Sequence, residues 1–103
     1  MIRVINKKRY NTDTAEELGH YTNGRGCSDF HAVSERLYRT KKGAFFLYYW
    51  GGAASKYSEA HGGGYCEGDG IRPMSAEDAL SWLEENGCTE SIDKYFDDCI
   101  TDA

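Results

Sequence analysis

The chain has 103 residues, 40% of them hydrophobic, with eight Tyr, four Phe and two Trp, and a formal net charge of −5. That is enough apolar material for one core in a single domain, too much for a disordered tail, and too short a chain for a core plus a walled substrate cleft. No run approaches the roughly 18 apolar residues of a membrane span, and Met1-Ile2-Arg3-Val4 followed by Asn6-Lys7-Lys8-Arg9 lacks the apolar block of a signal peptide, so a soluble cytoplasmic protein is expected.

Alternation at Ile2, Val4 and Asn6 predicts a first strand running to about Arg9. Thr12, Asp13 and Thr14 offer N-cap oxygens, Thr14 and Glu17 stand at capping-box spacing, and Gly19 sits where a terminating glycine belongs; a helix of two turns is predicted there. A loop follows through Asn23, Gly24 and Gly26, and Ser28 or Asp29 is expected to cap a short turn through Phe30 to Val33. Residues 35–40 and 44–50, separated by Lys41-Lys42-Gly43, predict a β-hairpin. In its second strand Phe46, Tyr48 and Trp50 face one way and Phe45, Leu47 and Tyr49 the other, the pattern of a central strand covered on both faces, with the first strand as its flank.

Gly51-Gly52 ends that strand, residues 53–60 are expected to form a helical turn or two, and the glycines from Gly62 to Gly70 a loop. Ser75 caps a predicted helix over 76–86 that stops at Gly87, with Ala76, Ala79, Leu80 and Leu83 as its apolar stripe. Thr89 or Ser91 caps the next, in which Ile92, Tyr95, Phe96 and Cys99 repeat the spacing. The expected fold is α+β: a small three-stranded, mostly antiparallel sheet, followed by an acidic helical C-terminal half. Residues 1–103 form a single compact domain in this reading, sheet-rich over 1–50 and helical over 51–103.

Charge is distributed unevenly. Residues 74–103 hold nine carboxylates against Lys94 alone, a local charge of −8, so the first 73 residues carry +3. Glu77 and Glu84, and likewise Asp78 and Glu85, lie seven residues apart, making two rows spaced about 10 Å on the exposed side of one helix. Glu77, Asp78 and Glu90 occupy first turns, where the helix dipole favours anions; Glu84, Glu85, Asp97 and Asp98 lie toward C-terminal ends, where it does not. A solvated acidic face is the ordinary reading of the whole cluster; the placement of the second group, which local stability does not explain, is what points to a partner. A dense carboxylate surface repels phosphates and attracts proteins with basic, phosphate-holding grooves. The candidate partner-binding residues are therefore Glu77, Asp78, Glu84, Glu85, Glu90, Asp93, Asp97 and Asp98.

At the basic end, Arg36, Arg39, Lys41 and Lys42 on the hairpin join Lys7, Lys8 and Arg9, with Tyr38, Tyr48, Tyr49 and Trp50 nearby to stack on bases. A small nucleic-acid-binding regulator is the alternative, although lysines at hairpin tips also prevent edge pairing. Four cysteines without a Cys-x-x-Cys pair fit reduced thiols. Cys27-x3-His31 with His61-x4-Cys66 is a loose zinc set that needs separate loops to converge, and a Cys–His nucleophile pair has the same weakness. The glycines of 62–70 lack a P-loop Lys-Ser/Thr. No catalytic residue, metal or cofactor is expected, and the protein is expected to act as a monomer.

The order Lys-Arg-Tyr-Asn-Thr-Asp-Thr-Ala (8–15), Ser-Asp-Phe (28–30), Glu-Arg-Leu-Tyr-Arg-Thr-Lys-Lys-Gly-Ala-Phe-Phe-Leu-Tyr (35–48), Gly-Gly-Ala-Ala-Ser-Lys-Tyr (51–57) and Ile-Arg-Pro-Met-Ser-Ala-Glu-Asp-Ala-Leu-Ser-Trp-Leu (71–83) resembles small proteins of phages, plasmids and other mobile elements, and their bacterial relatives. Over nearly its whole length the chain is similar to anti-CRISPR proteins, type I-C inhibitors among them. The resemblance implies an acidic, DNA-mimicking surface that occupies the DNA-binding groove of a Cascade-type surveillance complex in the host cytoplasm. It implies no direct contact with nucleic acid, no membrane and no enzyme activity.

Overall fold

The computed structural model of the protein describes residues 1–26 and 29–103. Its strands are β1 (Ile2–Ile5), β2 (Lys8–Asn11), β3 (Glu16–Thr22), β4 (Val33–Arg39), β5 (Phe45–Gly51), β6 (Glu59–His61), β7 (Gly64–Cys66) and β8 (Gly68–Met74). Helices α1 (Ala76–Glu85) and α2 (Thr89–Tyr95) follow, then a 3-10 turn over Asp97–Cys99. The fold is α+β, but the main sheet has four antiparallel strands in the order β3-β4-β5-β8, beside two separate hairpins, β1-β2 and β6-β7. The helical part begins only at Ala76, because β6, β7 and β8 occupy much of the stretch expected to be helix and loop.

The β4-β5 hairpin forms as expected, with Arg39 opposite Phe45 and Thr40 to Gly43 turning the chain. β5 lies between β4 and β8, so both its edges are paired, and side chains pack on both its faces. On one face Leu37 and Leu47 meet Leu18, Ala79, Trp82, Leu83 and Phe96. On the other Phe46 meets Tyr10, Tyr38 and Ile71, with Tyr10 edge-on to Phe46 and Tyr38 stacked on it. The molecule is thus layered: helices, four-stranded sheet, N-terminal hairpin. Phe46, Leu37, Leu47 and Leu83 are fully buried, and each contributes about 1.5–3 kcal/mol by leaving water.

The expected first strand is a hairpin instead. Asn6 and Lys7 take φ of 51° and 66° and form a two-residue turn, so Lys8 pairs with Ile5 and the chain folds back on itself rather than flanking β5. That place is taken by β4 and β8.

The expected helix before Gly19 is strand β3. Capping spacing at Thr14 and Glu17 gives way to packing: a Cβ on Gly19 would stand 2.6 Å from Cys88 Sγ and 2.9 Å from Trp82 Cζ3. The glycine admits the indole onto the sheet beside a bulge at Glu17/Gly19. Gly19→Ala is expected to cost about 1–3 kcal/mol through overpacking, read as a lower urea midpoint at unchanged slope; an unaltered midpoint would show that Trp82 does not press on this strand.

Of the two expected caps Ser28 lies outside the described residues, while Asp29 accepts from His31 N at 2.7 Å in a turn that ends before β4 begins at Val33. Residues 53–60 form two tight turns and the start of β6, held by Ala54 N to Phe30 O at 2.7 Å and Ser55 Oγ to Gly52 O at 2.7 Å. Of the glycines expected to form a loop, Gly64, Gly68 and Gly70 lie in strands instead. Gly62 and Gly63, at φ of 56° and 86°, turn the β6-β7 hairpin. Gly68 and Gly70 lie in β8, where a Cβ would stand 2.0 Å from Tyr57 O and 2.4 Å from Tyr49 Oη. Pro73 is tolerated because β8 is an edge strand.

Candidate functional site

Helix α1 starts as its sequence requires, with Ser75 Oγ accepting from Asp78 N at 3.1 Å, and ends before Gly87 at φ 65°. Burial of Ala79, Trp82 and Leu83 fixes its rotation. Leu80 is half-buried and Ala76 is exposed, so Trp82 replaces Ala76 in the expected stripe. The opposite side presents Glu77, Asp78, Ser81, Glu84 and Glu85, all exposed, in the two expected rows. Asp78 and Glu85 border a groove of about 450 Å³ shared with Arg72, Pro73 and Met74, which orients that row toward β8. The last turn of α1 carries Glu84 and Glu85 and no basic residue, so the unfavourable dipole placement is real.

Helix α2 is shorter than expected. Thr89 is its first residue rather than its cap, and Ser91 donates to Leu18 O at 2.5 Å, fastening the helix to β3. Ile92, Tyr95 and Phe96 pack inward, while Cys99 is exposed in the 3-10 turn. Glu90 and Asp93 are exposed on α2; Asp97 and Asp98 are exposed in the turn beyond its end, where they head a new turn instead of closing the helix.

The one base of this region is turned away from its neighbours. Lys94 Nζ lies 3.2 Å from Glu16 Oε2 on β3, and the Tyr95 hydroxyl donates to the same oxygen at 2.6 Å. The Tyr95 hydrogen bond first, and Lys94 second, hold the Glu16 carboxyl below the usual carboxylate range. The ion pairs among the described residues use Asp29, Glu17, Glu35 and Glu16, so none of the eight candidate carboxylates has a cationic partner there.

The basic residues divide into three places. Arg36 pairs with Glu17 at 3.4 Å on the open sheet face, and Arg39 lies over the Tyr95 ring, 4.5 Å from its centroid, on the helix side. Lys7, Lys8, Arg9, Lys41 and Lys42 come together, lining a cleft of about 540 Å³ between two hairpins. Two of the four aromatics expected to stack on bases are engaged elsewhere: Tyr38 stacks on Phe46 at 5.2 Å and Tyr49 on Tyr57 at 4.3 Å. Tyr48 and Trp50 are half-buried beside Arg36 and His20.

Of the loose zinc set, Cys27 lies outside the described residues, and no group of three or more His, Cys, Asp or Glu that could hold a metal forms among the described ones. Nor is any helix there long and apolar enough to cross a membrane. The sequence did not reveal Glu35, the one buried charged side chain among the described residues, which accepts from Trp82 Nε1 at 3.0 Å, from the Tyr57 hydroxyl and from Lys56 Nζ at 3.0 Å. Burial pushes its carboxyl up, but these three donors outweigh burial and hold it below the ordinary range. Comparison with protein-family models, curated proteins and solved structures found no match to this chain.

Proposed function

We propose that the protein is an anti-CRISPR inhibitor. Acting as a monomer in the host cytoplasm, it places the carboxylates of α1, α2 and the following turn in the basic DNA-binding groove of a Cascade-type surveillance complex and blocks target DNA without any catalytic step. The supporting observation is that these carboxylates are exposed and without cations among the described residues, while the local lysine pairs with Glu16. A face that served only solubility would lose nothing by pairing Lys94 with Asp93, Asp97 or Asp98. Unpaired anions instead keep their full field for a receptor's Lys and Arg, as a phosphate backbone does, and displace the same counterions from it. The resemblance to phage and plasmid inhibitors supplies the identity of that receptor.

The test is competition. A purified type I-C surveillance complex is incubated with the protein and then with a labelled duplex bearing its target; capture of the duplex should fall in proportion to inhibitor and vanish at excess. Full capture at saturating protein would exclude this receptor.

A further inference from the structure

We propose a second site of opposite sign: the cleft between the β1-β2 turn and the β4-β5 turn binds the phosphodiester backbone of a nucleic acid strand. This site shares no residue with the acidic face and does not rest on its proposed role. The cleft holds about 540 Å³ and is lined by Lys7, Lys8, Arg9, Lys41 and Lys42. Its remaining lining (Tyr10, Asn11, Thr14, Thr40 and Ala44) contains no carboxylate, and none of the five cations belongs to an ion pair among the described residues. Five like charges drawn together from two hairpins repel one another, which folding alone does not favour; an anion between them reverses the sign of that term.

The β1-β2 turn adds an independent sign. Its second residue, Lys7, has φ 66°, the conformation for which such turns select glycine. The neighbouring turn places Gly43 where φ is 88°. A cation is thus retained in the first turn against backbone preference, and it faces the cleft.

The lining also distinguishes among phosphate ligands. The one aromatic present, Tyr10, is buried with its ring against Phe46, so no free face remains to hold a base. Hydroxyls of Thr14 and Thr40 and the amide of Asn11 complement phosphate oxygens. A nucleotide would be held by its phosphates alone, whereas a strand offers successive phosphates to successive cations and releases a counterion for each.

The experiment uses the full chain and a fluorescein-labelled single-stranded DNA of about 20 nucleotides at low salt, read by anisotropy, with inorganic tripolyphosphate as competitor. Binding is expected, independent of base sequence, falling steeply with salt. Lys42→Glu should weaken it about tenfold, while Arg3→Glu, an equal change in net charge outside the cleft, should weaken it less than about twofold. Lys7→Gly should weaken binding while raising the thermal midpoint, a combination that a purely structural lysine would not give. No anisotropy change, equal losses for Lys42→Glu and Arg3→Glu, or displacement by tripolyphosphate at the oligonucleotide's own affinity would each overturn the proposal.

Discussion

Reversing Glu84, Glu85, Asp97 and Asp98 to lysine is expected to abolish inhibition while leaving the fold intact. All four side chains are exposed, and none has a cationic partner among the described residues. At the end of α1 a lysine suits the helix dipole better than the glutamate it replaces, so the thermal midpoint should hold or rise. The net charge moves from −5 to +3. Association with a basic groove then changes from steered to opposed, and since steering alone alters on-rates by about 10–1,000-fold, affinity should fall at least ~100-fold at low salt. The loss should shrink as ionic strength rises and the screening length falls to about 8 Å near 0.15 M. Circular dichroism establishes the fold and an interference assay in cells reads the function; inhibition at wild-type strength in a folded variant would remove the acidic face from the mechanism.

Glu35→Ala should be strongly destabilising although it removes no apolar core side chain. Glu35 joins three parts of the structure: β4, which carries it; α1 through Trp82; and the turns after β5 through Lys56 and Tyr57. Truncation leaves the indole N–H and the phenol without their acceptor. At roughly 1–3 kcal/mol for each orphaned donor, the loss is about 3 kcal/mol, or about 15 °C in thermal midpoint for a chain of this size. Lys56 is largely exposed and adds little to that sum.

The same residue sets a pH dependence. Its folded carboxyl titrates below the ordinary value of 4.5, so its charge stabilises the protein fully above that pH, and the contribution disappears as pH falls through the folded value. Glu35→Gln keeps an acceptor for Trp82 but not the charge. The stability gap between wild type and Glu35→Gln, measured by urea unfolding, should therefore be widest near neutrality and close below pH 4.5. A gap that persists unchanged into acid would show that the charge contributes nothing.

What could be read from residues alone was what local chemistry decides. The β4-β5 hairpin follows from two β-favouring runs around Lys41-Lys42-Gly43, and α1 from Ser75, its apolar spacing and Gly87. The exposure of Glu77, Asp78, Glu84 and Glu85 follows from that same periodicity. The failures lie where distant residues decide. Gly19 looked like a helix stop and is a clearance for Trp82, more than sixty residues away. Gly68 and Gly70 looked like loop and are strand positions beneath the stacked Tyr49 and Tyr57. Lys7 concealed a turn because glycine, the usual marker, is missing. The basic end was legible in part: Lys7, Lys8, Arg9, Lys41 and Lys42 do come together, whereas Arg36 and Arg39, grouped with them in the sequence, are drawn off by Glu17 and Tyr95 in the tertiary fold.

The β1-β2 hairpin has a mechanical consequence. It shares no ladder with the four-stranded sheet and rests on it through Tyr10, Met1 and Ile5. Greasy side-chain contact resists sliding far less than a row of directional bonds. The hairpin that carries Lys7, Lys8 and Arg9 is therefore held in place by the seating of Tyr10 edge-on to Phe46 and by no backbone ladder to the main sheet.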